Sequence, residues 1–488
     1  EANPEANPEA NPEASPEANP ESKAPHSSNN KAHTPPRSSV PSAARAAVAA
    51  LFLTNSLSNA WLPRISEVQA DLGMSDSQLG VALGMGSVGG ILGGPLAGVL
   101  MKRFGSARTS VALLLFVCAG MPFVGVAKHY LVLGAVLLWL GATDAIMDAA
   151  MNAHGLRVQH EYKRSILNSF HGFWSLGMVL AGVVGVACAA AEVPLTAMMG
   201  GVAAFSLLLA LPLSRWLLHG PDPAEYTEES THSADQHEGG DNQEKDGKDN
   251  YKANGSVAAE DGRAKGCHAF KQPAVWGLGL FIALAVMVEL IPAQWATIYL
   301  SQTDVRPDMY GWAFVVFQIC MTAGRFLGDS LVNRLGERAW TLLAMGATAV
   351  ATSTALLVDS PTFFVVACGV NGVGAATLFP SAMRGAAHLP GVLPSAGVSV
   401  VSWLSRVGFV LGPLAVGGLA DEFGISWGMA VVPAAATLLV LDSFLVPLAS
   451  KSALTLKPAK PNELEMEKLD RTDEMGEIER REHSLQTV

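Results

Sequence analysis

Twelve apolar segments, each about long enough to cross a lipid bilayer, constrain this chain more than any other feature. A helix that crosses a bilayer needs about 20 predominantly apolar residues. The segments form two groups of six, separated by a polar stretch at 219–272. We therefore predict an all-α polytopic membrane protein with twelve transmembrane helices in two six-helix bundles. The segments lie at approximately 43–62, 77–101, 108–127, 130–151, 165–190 and 194–218, and at 273–300, 309–332, 338–358, 361–384, 395–420 and 424–449.

The charge distribution follows the same division. Only 15% of the 488 residues are charged, whereas soluble proteins carry roughly 25%. The segments 1–42, 219–272 and 451–488 hold 27 of the 43 acidic residues and 16 of the 32 Lys and Arg residues, so they account for the whole net charge of −11. This pattern disfavours a soluble enzyme, and no basic patch indicates a nucleic-acid partner.

Five regions follow from these patterns. Residues 1–42 begin with repeats of Glu-Ala-Asn-Pro, and a proline every fourth residue prevents helix and sheet, so we expect a disordered N-terminal tail. The chain does not begin with Met and has no cleavable signal pattern, which is compatible with a fragment or a processed protein. We expect an N-terminal six-helix bundle at 43–218, a flexible acidic cytoplasmic linker at 219–272, a C-terminal six-helix bundle at 273–450 and a charged cytoplasmic tail at 451–488.

The orientation follows from Lys and Arg in the short loops, because cytoplasmic loops carry an excess of both. One set of alternate loops carries Lys102, Arg103, Arg108, Arg157, Lys163, Arg164, Arg334, Arg338 and Arg384. The opposite set carries Arg64, Lys128 and Arg306. We therefore predict a multi-pass protein of the plasma membrane with both termini in the cytoplasm.

The sequence indicates no cofactor and no metal site. It contains no phosphate-cradling loop, and its five cysteines form no Cys-x-x-Cys pair. Four of the cysteines lie in apolar segments, where free cysteine behaves as a small apolar residue. Energy for any transport should therefore come from an ion gradient.

The two halves of the chain repeat a local pattern. The second segment ends in GVLMKRFGSAR (98–108), and the eighth ends in GRFLGDSLVNRLGER (324–338). Both place an Arg-x-Gly turn and further basic residues at the cytoplasmic end of a helix, six segments apart. Repeated halves related by an axis along the membrane normal are a transporter arrangement.

At these residues the chain resembles the major facilitator superfamily (MFS), over roughly 43–450. The loop signature of that family is G-x-x-x-D-[RK]-x-G-[RK]-[RK]. The residues that match it, and that the resemblance assigns to a gating loop, are Gly98, Arg103, Gly105, Arg108, Arg334 and Gly336. Lys102 and Asn333 replace the usual acid, and Asp329 lies one turn earlier in the second half. The first loop therefore lacks the acidic partner that the family uses as a latch.

A narrower resemblance concerns the fourth and fifth segments. The runs DAAMNAHGLRVQ (148–159) and SFHGFWSLG (169–177) are similar to a poorly characterised bacterial branch that is distantly related to fucose-permease-type carriers. The fifth segment lacks the G-P-x-x-G-G run that many drug–proton antiporters of the family carry. That difference disfavours drug efflux.

Two segments carry stripes of glycine. Small residues let helices approach closely in lipid, so the stripes indicate either plain tight packing or a sliding contact between the two halves. The family resemblance favours the sliding contact, and we place Gly93 in it. The stripes comprise Gly84, Gly86, Gly89, Gly90, Gly93, Gly94 and Gly98 in the second segment, and Gly408, Gly412, Gly417 and Gly418 in the eleventh.

Charged residues inside the apolar segments are candidates for proton coupling, because a charge at bilayer depth usually faces a cavity or a partner. Glu289 precedes Pro292, which should bend the seventh helix. Asp144 and Asp148 lie four residues apart on one helix face. The imidazole group ordinarily titrates near physiological pH, so His171 is a candidate proton relay. The alternatives are a structural ion pair of Glu289 with Arg406, hydrogen-bonded structural acids and a structural histidine.

Further polar residues indicate a solute cavity, since the family resemblance implies that the first, fourth, seventh and tenth segments line one. The candidates are Asn55, Asn59, Gln294, Trp295, Asn371 and Arg406. Arg325 and Asp329 lie four residues apart in the eighth segment, a spacing that allows a structural ion pair.

These observations predict a secondary active transporter that moves a small solute by alternating access, with proton-coupled uptake. We expect its partners to be the solute, protons and the lipid bilayer, and we expect a monomer. Two alternatives stay open: proton-driven efflux of a toxic or amphipathic compound, and a non-transporting membrane sensor.

Overall fold

The computed structural model describes residues 39–162, 166–218, 272–389 and 394–446. Most of the predicted N-terminal tail and linker, and the whole predicted C-terminal tail, lie outside these residues. The described part is helical, and no strand occurs in it.

The helices of the first half are α1 (Ser39–Leu57), α2 (Ile65–Leu72), α3 (Asp76–Phe104), α4 (Ser106–Gly120), α5 (Tyr130–Tyr162), α6 (Leu167–Ala190) and α7 (Leu195–Ser214). Those of the second half are α8 (Pro273–Ser301), α9 (Trp312–Leu335), α10 (Glu337–Val358), α11 (Pro361–Ala375), α12 (Leu378–Ala387), α13 (Pro394–Phe423), α14 (Ile425–Met429) and α15 (Val431–Asp442). Short 3₁₀ helices lie at Ser58–Arg64, Met121–Gly125 and Pro307–Met309.

Eleven of the described helical stretches are long and apolar enough to cross a membrane. The remaining predicted span, 43–62, consists of α1 and the 3₁₀ helix Ser58–Arg64. Arg45, Asn55 and Asn59 lower its hydropathy, which explains why it is the least apolar of the predicted spans. The predicted all-α polytopic fold is confirmed.

Two glycine turns reproduce the internal repeat in atomic detail. Gly105 ends α3 with φ 81°, and Gly336 ends α9 with φ 88°. The backbone N–H of Gly105 donates to the carbonyl of Met101 at 2.8 Å, and that of Gly336 donates to the carbonyl of Val332 at 2.7 Å. A residue with a Cβ is strained in this region of backbone space, so both Arg-x-Gly sequences require their glycine.

The glycines of α3 divide between two neighbouring helices. A Cβ added to Gly89 or Gly93 would lie 2.0 Å or 2.4 Å from a backbone carbonyl of α5, in the same half of the chain. A Cβ added to Gly80 would lie 2.5 Å from the carbonyl of Pro413 in α13, in the other half. The expectation that Gly93 lies between the halves is therefore wrong, because that face of α3 packs within the first bundle.

Helices α3 and α13, which belong to opposite halves, touch at one end and separate toward the other. We call the end with Gly105 and Gly336 the basic side, and the end where α3 begins and α13 ends the acidic side. Between α3 and α13, contact runs from the acidic side as far as Gly90, which lies beside Arg406. A Cβ added to Gly94 or Gly98 would meet nothing within 4 Å among the described residues. Among the described residues, the space between α3 and α13 is therefore open toward the basic side.

Candidate functional site

Polar side chains from both halves face the space between them. In the first half, Nδ2 of Asn55 donates a hydrogen bond of 2.8 Å to Oδ1 of Asp144. Asn55 is 2% exposed, whereas Asp144 is exposed. Because Asp144 contacts α1 and lies near α13, its exposed surface faces the space between the halves. The pair joins two of the helices expected to line the cavity.

A second polar group lies one turn further toward the basic side. Asn152 donates to Oδ1 of Asp148 at 3.1 Å, and its own Oδ1 lies 3.1 Å from Nε2 of His171 on α6. Because an amide oxygen only accepts, this contact places the imidazole proton on Nε2. His171 also packs edge-on against the ring of Phe52 at 5.2 Å.

Arg406 of α13 brings positive charge from the other half. Its guanidinium lies beside Gly90 and interacts electrostatically with both Asp144 and Asp148. One arginine therefore faces two carboxylates. The sequence left open whether Arg406 neutralises Glu289, and in the structure it lies beside the two aspartates instead.

Glu289 of α8 pairs with Arg325 of α9, and Nη2 of the arginine lies 3.3 Å from Oε1 of the glutamate. Nη1 of Arg325 donates to the hydroxyl of Ser175 on α6 at 2.7 Å. The guanidinium also lies 5.4 Å from the ring centroid of Trp174. Arg325 therefore links an acid of the second half to two residues of the first. The side chain of Asp329, its predicted partner, lies outside the described part of the structure.

The remaining cavity candidates are less exposed than Asp144. Nδ2 of Asn371 donates to the carbonyl of Val288 at 3.0 Å, and Nδ2 of Asn59 donates to the carbonyl of Ser56 at 3.2 Å. Trp295 is fully buried in the apolar core. Four buried polar atoms of the cavity candidates have no hydrogen-bond partner among the described residues: Oδ1 of Asn55, Oδ1 of Asn371, Oε1 of Gln294 and Nε1 of Trp295.

The predicted gating-loop residues lie apart from this polar group, on the basic side. Arg103, Arg108 and Arg334 are exposed, and Gly98 and Asp329 occupy the last two turns of their helices. Arg103 stacks over the ring of Phe104 at 5.3 Å. Nearby, Glu337 is buried and forms an ion pair with Arg384.

A cavity of about 700 Å³ opens on the acidic side, between the two halves. Its walls include Arg64, Glu67, Asp76, Tyr310 and Asp421. None of the central polar residues described above lines it, so it is a separate vestibule.

The central group has an unbalanced charge. Asp144, Asp148 and Glu289 face two guanidiniums, those of Arg325 and Arg406. With His171 neutral, these five described side chains carry a net charge of −1 when all are ionised. Among the described residues, no group of three or more His, Cys, Asp or Glu side chains could hold a metal ion.

Sequence reasoning named Arg325 only as a structural partner of Asp329, and it missed the contacts of Arg325 with Glu289 and with two residues of α6. Trp174 and Ser175 lie inside the run SFHGFWSLG that the narrower resemblance singled out, only a few residues after His171. The position of Trp174 and Ser175 in this run was the sequence signal that could have identified them. The contact itself depends on how α6 and α9 pack, which spacing within one helix cannot predict.

A model of the Major Facilitator Superfamily matches residues 46–305 and 278–472. The chain belongs to the Major Facilitator Superfamily. It is 25% identical over 383 residues to an uncharacterized MFS-type transporter of Yersinia pestis, a match that covers 77% of this chain and 88% of that protein. It is 24% identical over 402 residues to the membrane protein MosC of Rhizobium meliloti, covering 81% and 88%. This MFS chain is therefore a transporter and not an enzyme, in a branch with little characterisation.

Solved structures agree with this fold. The nucleoside transporter NupG superposes with a TM-score of 0.62 at 14% identity, covering 86% of this chain and 100% of that one. A D-xylose-proton symporter superposes with the same TM-score of 0.62 at 14% identity, covering 85% and 99%. These likenesses establish the MFS fold, as the loop signature implied.

Proposed function

We propose that this MFS transporter takes up a small polar solute together with protons by alternating access. The observation that supports the proposal is the central group of three carboxylates and two guanidiniums, shared between the two halves. Its net charge of −1 becomes zero when one proton binds. A net charge at bilayer depth is costly. Binding of one proton removes that charge and so favours the change from one open state of the transporter to the other.

Arg325 is the residue that connects the proton to the movement of the halves. While Glu289 is ionised, it holds Arg325, which in turn donates to Ser175 in the other half. Protonation of Glu289 removes the charge that holds the guanidinium, and the contact between α9 and α6 weakens. The halves can then move apart at this position.

The proposal includes an orientation. We place the basic side in the cytoplasm, because lysine and arginine are enriched in cytoplasmic loops. In that orientation the structure is open to the cytoplasm along α3 and α13, and both termini are cytoplasmic. We further propose that the protein lies in the plasma membrane and acts as a monomer.

The charges also restrict the solute, which we propose to be neutral or cationic. Arg325 is paired with Glu289. The charge of Arg406 is offset by those of Asp144 and Asp148. A carboxylate or phosphate of the solute therefore meets no excess of positive charge here.

Asn55 and Asn371 donate through Nδ2 to groups that accept. Their unpartnered oxygens are buried in this state, and they become acceptors for hydroxyl or N–H groups of the solute where the halves move apart. A solute rich in hydroxyl or amine groups fits these partners.

A thermal-shift screen of the purified protein tests the solute class. The probes are hexoses, nucleosides, amino acids, organic acids and hydrophobic cations, each measured beside Glu289→Gln. A ligand at one hundred times its Kd stabilises the folded state by about 2.7 kcal/mol. We expect a hydroxyl-rich or amine probe to raise the melting temperature and organic acids to have no effect.

Two other results would redirect the proposal. Stabilisation by hydrophobic cations alone would favour efflux, which a resistance assay in a deletion strain then checks. Stabilisation by organic acids would contradict the assignment of both arginines. If no probe stabilises the protein, removal of 1–42 and 451–488 distinguishes a carrier from a non-transporting sensor. A carrier still moves its solute after the removal, whereas a sensor loses its output.

A further inference from the structure

A third glycine turn joins α13 to α14 on the acidic side. Gly424 has φ 93°, and its backbone N–H donates to the carbonyl of Ala420 at 2.8 Å. This geometry matches the turns at Gly105 and Gly336. The residue three positions before each glycine is Lys102, Asn333 and Asp421, respectively. Of the three turns, this one alone carries an acid at that position.

The carboxylate of Asp421 contacts the first turn of α3 in the other half of the chain. The hydroxyl of Ser75 donates to Oδ2 of Asp421 at 3.0 Å. Ser77 and the backbone N–H groups of Asp76 and Ser77 also interact with this carboxylate. The first N–H groups of a helix have no partner within the helix, and the helix dipole favours an anion there. Asp421 therefore stabilises the start of a helix that belongs to the opposite bundle.

The backbones of the two helices are in close contact just beneath this carboxylate. A Cβ added to Gly417 would lie 2.5 Å from the carbonyl of Asp76, and one added to Gly80 would lie 2.5 Å from the carbonyl of Pro413. The hydroxyl of Ser77 donates to the carbonyl of Gly417 at 3.3 Å. Any opening on the acidic side must separate these contacts and expose the first turn of α3.

We infer that Asp421 is a gating residue that holds the acidic side closed. On the basic side the two equivalent turns carry Lys102 and Asn333, which cannot supply a carboxylate to a helix start. The contact of Asp421 with α3 therefore holds only the acidic side closed. It favours the state that is open to the basic side. This inference rests on the alternating access and the orientation proposed above.

Labelling of a reporter cysteine between the halves tests the gate without any solute. The reporter is Ser87→Cys in a chain whose five native cysteines are replaced, because the Ser87 hydroxyl donates to the carbonyl of Phe409 in α13 at 2.9 Å. A membrane-impermeant maleimide is added to intact cells. Asp421→Ala removes the acceptor, Asp421→Asn removes only the charge, and Glu422→Gln is the matched control.

Asp421→Ala should raise the labelling rate about two- to tenfold, which is the range that one net hydrogen bond supports. Asp421→Asn should give a smaller rise, and Glu422→Gln should label like the parent. Equal rates for Asp421→Ala and the parent overturn the inference. Labelling confined to inside-out vesicles overturns the orientation instead, and an Asp421-dependent rate in those vesicles still supports the gate.

A second measurement avoids replacing the cysteines. Hydrogen–deuterium exchange of the first turn of α3 is followed in the otherwise wild-type chain. Asp421→Ala should speed this exchange and Glu422→Gln should not. Unchanged exchange in Asp421→Ala overturns the inference even if the cysteine-free protein fails to fold.

Discussion

Nη2 of Arg325 lies 3.3 Å from Oε1 of Glu289, and the two side chains are each 32% exposed. They belong to neighbouring helices of the second half, while Nη1 of the same arginine donates to Ser175 in the first half. One guanidinium therefore contacts both an acid of its own half and a hydroxyl of the other half.

Replacing Arg325 with Met should destabilise the protein by about 1–3 kcal/mol, less than the cost of breaking a fully buried pair because both groups are partly exposed. The loss leaves Glu289 without its cation. The double variant Arg325→Met/Glu289→Gln should recover part of the stability, since the uncompensated charge is gone. Thermal unfolding in detergent measures both effects. If the loss of stability in the double variant equals the sum of the losses in the two single variants, the two residues do not interact.

Glu289→Gln should still fold but lose solute accumulation. The amide is nearly the same size as the carboxylate but cannot bind and release a proton. Reconstituted vesicles should therefore show at least a tenfold loss of gradient-driven uptake, an effect of about 1.4 kcal/mol or more on the rate-limiting step, while solute exchange at equal concentrations continues. Glu422→Gln on the surface is the control. Full accumulation by Glu289→Gln would remove this residue from the coupling mechanism.

Two glycines of α3 give a matched test of the packing. Gly89→Ala places a Cβ 2.0 Å from the carbonyl of Leu138 and should destabilise the protein by about 1–3 kcal/mol. Gly94→Ala meets nothing within 4 Å among the described residues, so its effect should stay within about 0.5 kcal/mol. The melting temperatures of the two variants check this. Equal melting temperatures would mean that the close contact of α3 with α5 is absent.

One substitution changes the net charge of the central group, and a second substitution restores it. Asp148→Asn leaves the ionised group neutral, whereas Asp148→Asn/Arg406→Gln restores the net charge of −1. If charge balance governs proton binding, the double variant should recover pH-dependent uptake that the single variant loses. Initial uptake rates across external pH measure this. Equal pH profiles for the two variants would count against the charge-balance argument.

The fold follows from the sequence because hydropathy reports directly on lipid contact. Segment lengths, the loop charges and the turns at Gly105 and Gly336 are all local properties. The first span shows the limit of this signal, since Asn55 and Asn59 lower its hydropathy and a 3₁₀ helix ends it. Polar residues that face the cavity weaken the pattern that identifies a span.

The pairing of charges could not be predicted in the same way. The spacing of Arg325 and Asp329 predicted a pair within one helix, and the acid of that pair lies outside the described side chains. The structure also places Arg325 beside Glu289, 36 residues earlier in the chain, which spacing within one helix does not predict. Which helices face each other depends on tertiary packing. Gly93 was misplaced for the same reason, because a glycine stripe does not say which neighbour it contacts. Asp421 was detectable in principle, since Gly417, Asp421 and Gly424 repeat the spacing of the family signature.

Proton movement during uptake tests the central claim most directly. A solute that stabilises the protein is added to lightly buffered, de-energised cells that express the parent or Glu289→Gln, and the external pH is recorded. Co-transport of a proton and a solute predicts a transient rise in external pH with the parent and none with Glu289→Gln. Uptake of the solute by the parent with no change in external pH would contradict proton coupling.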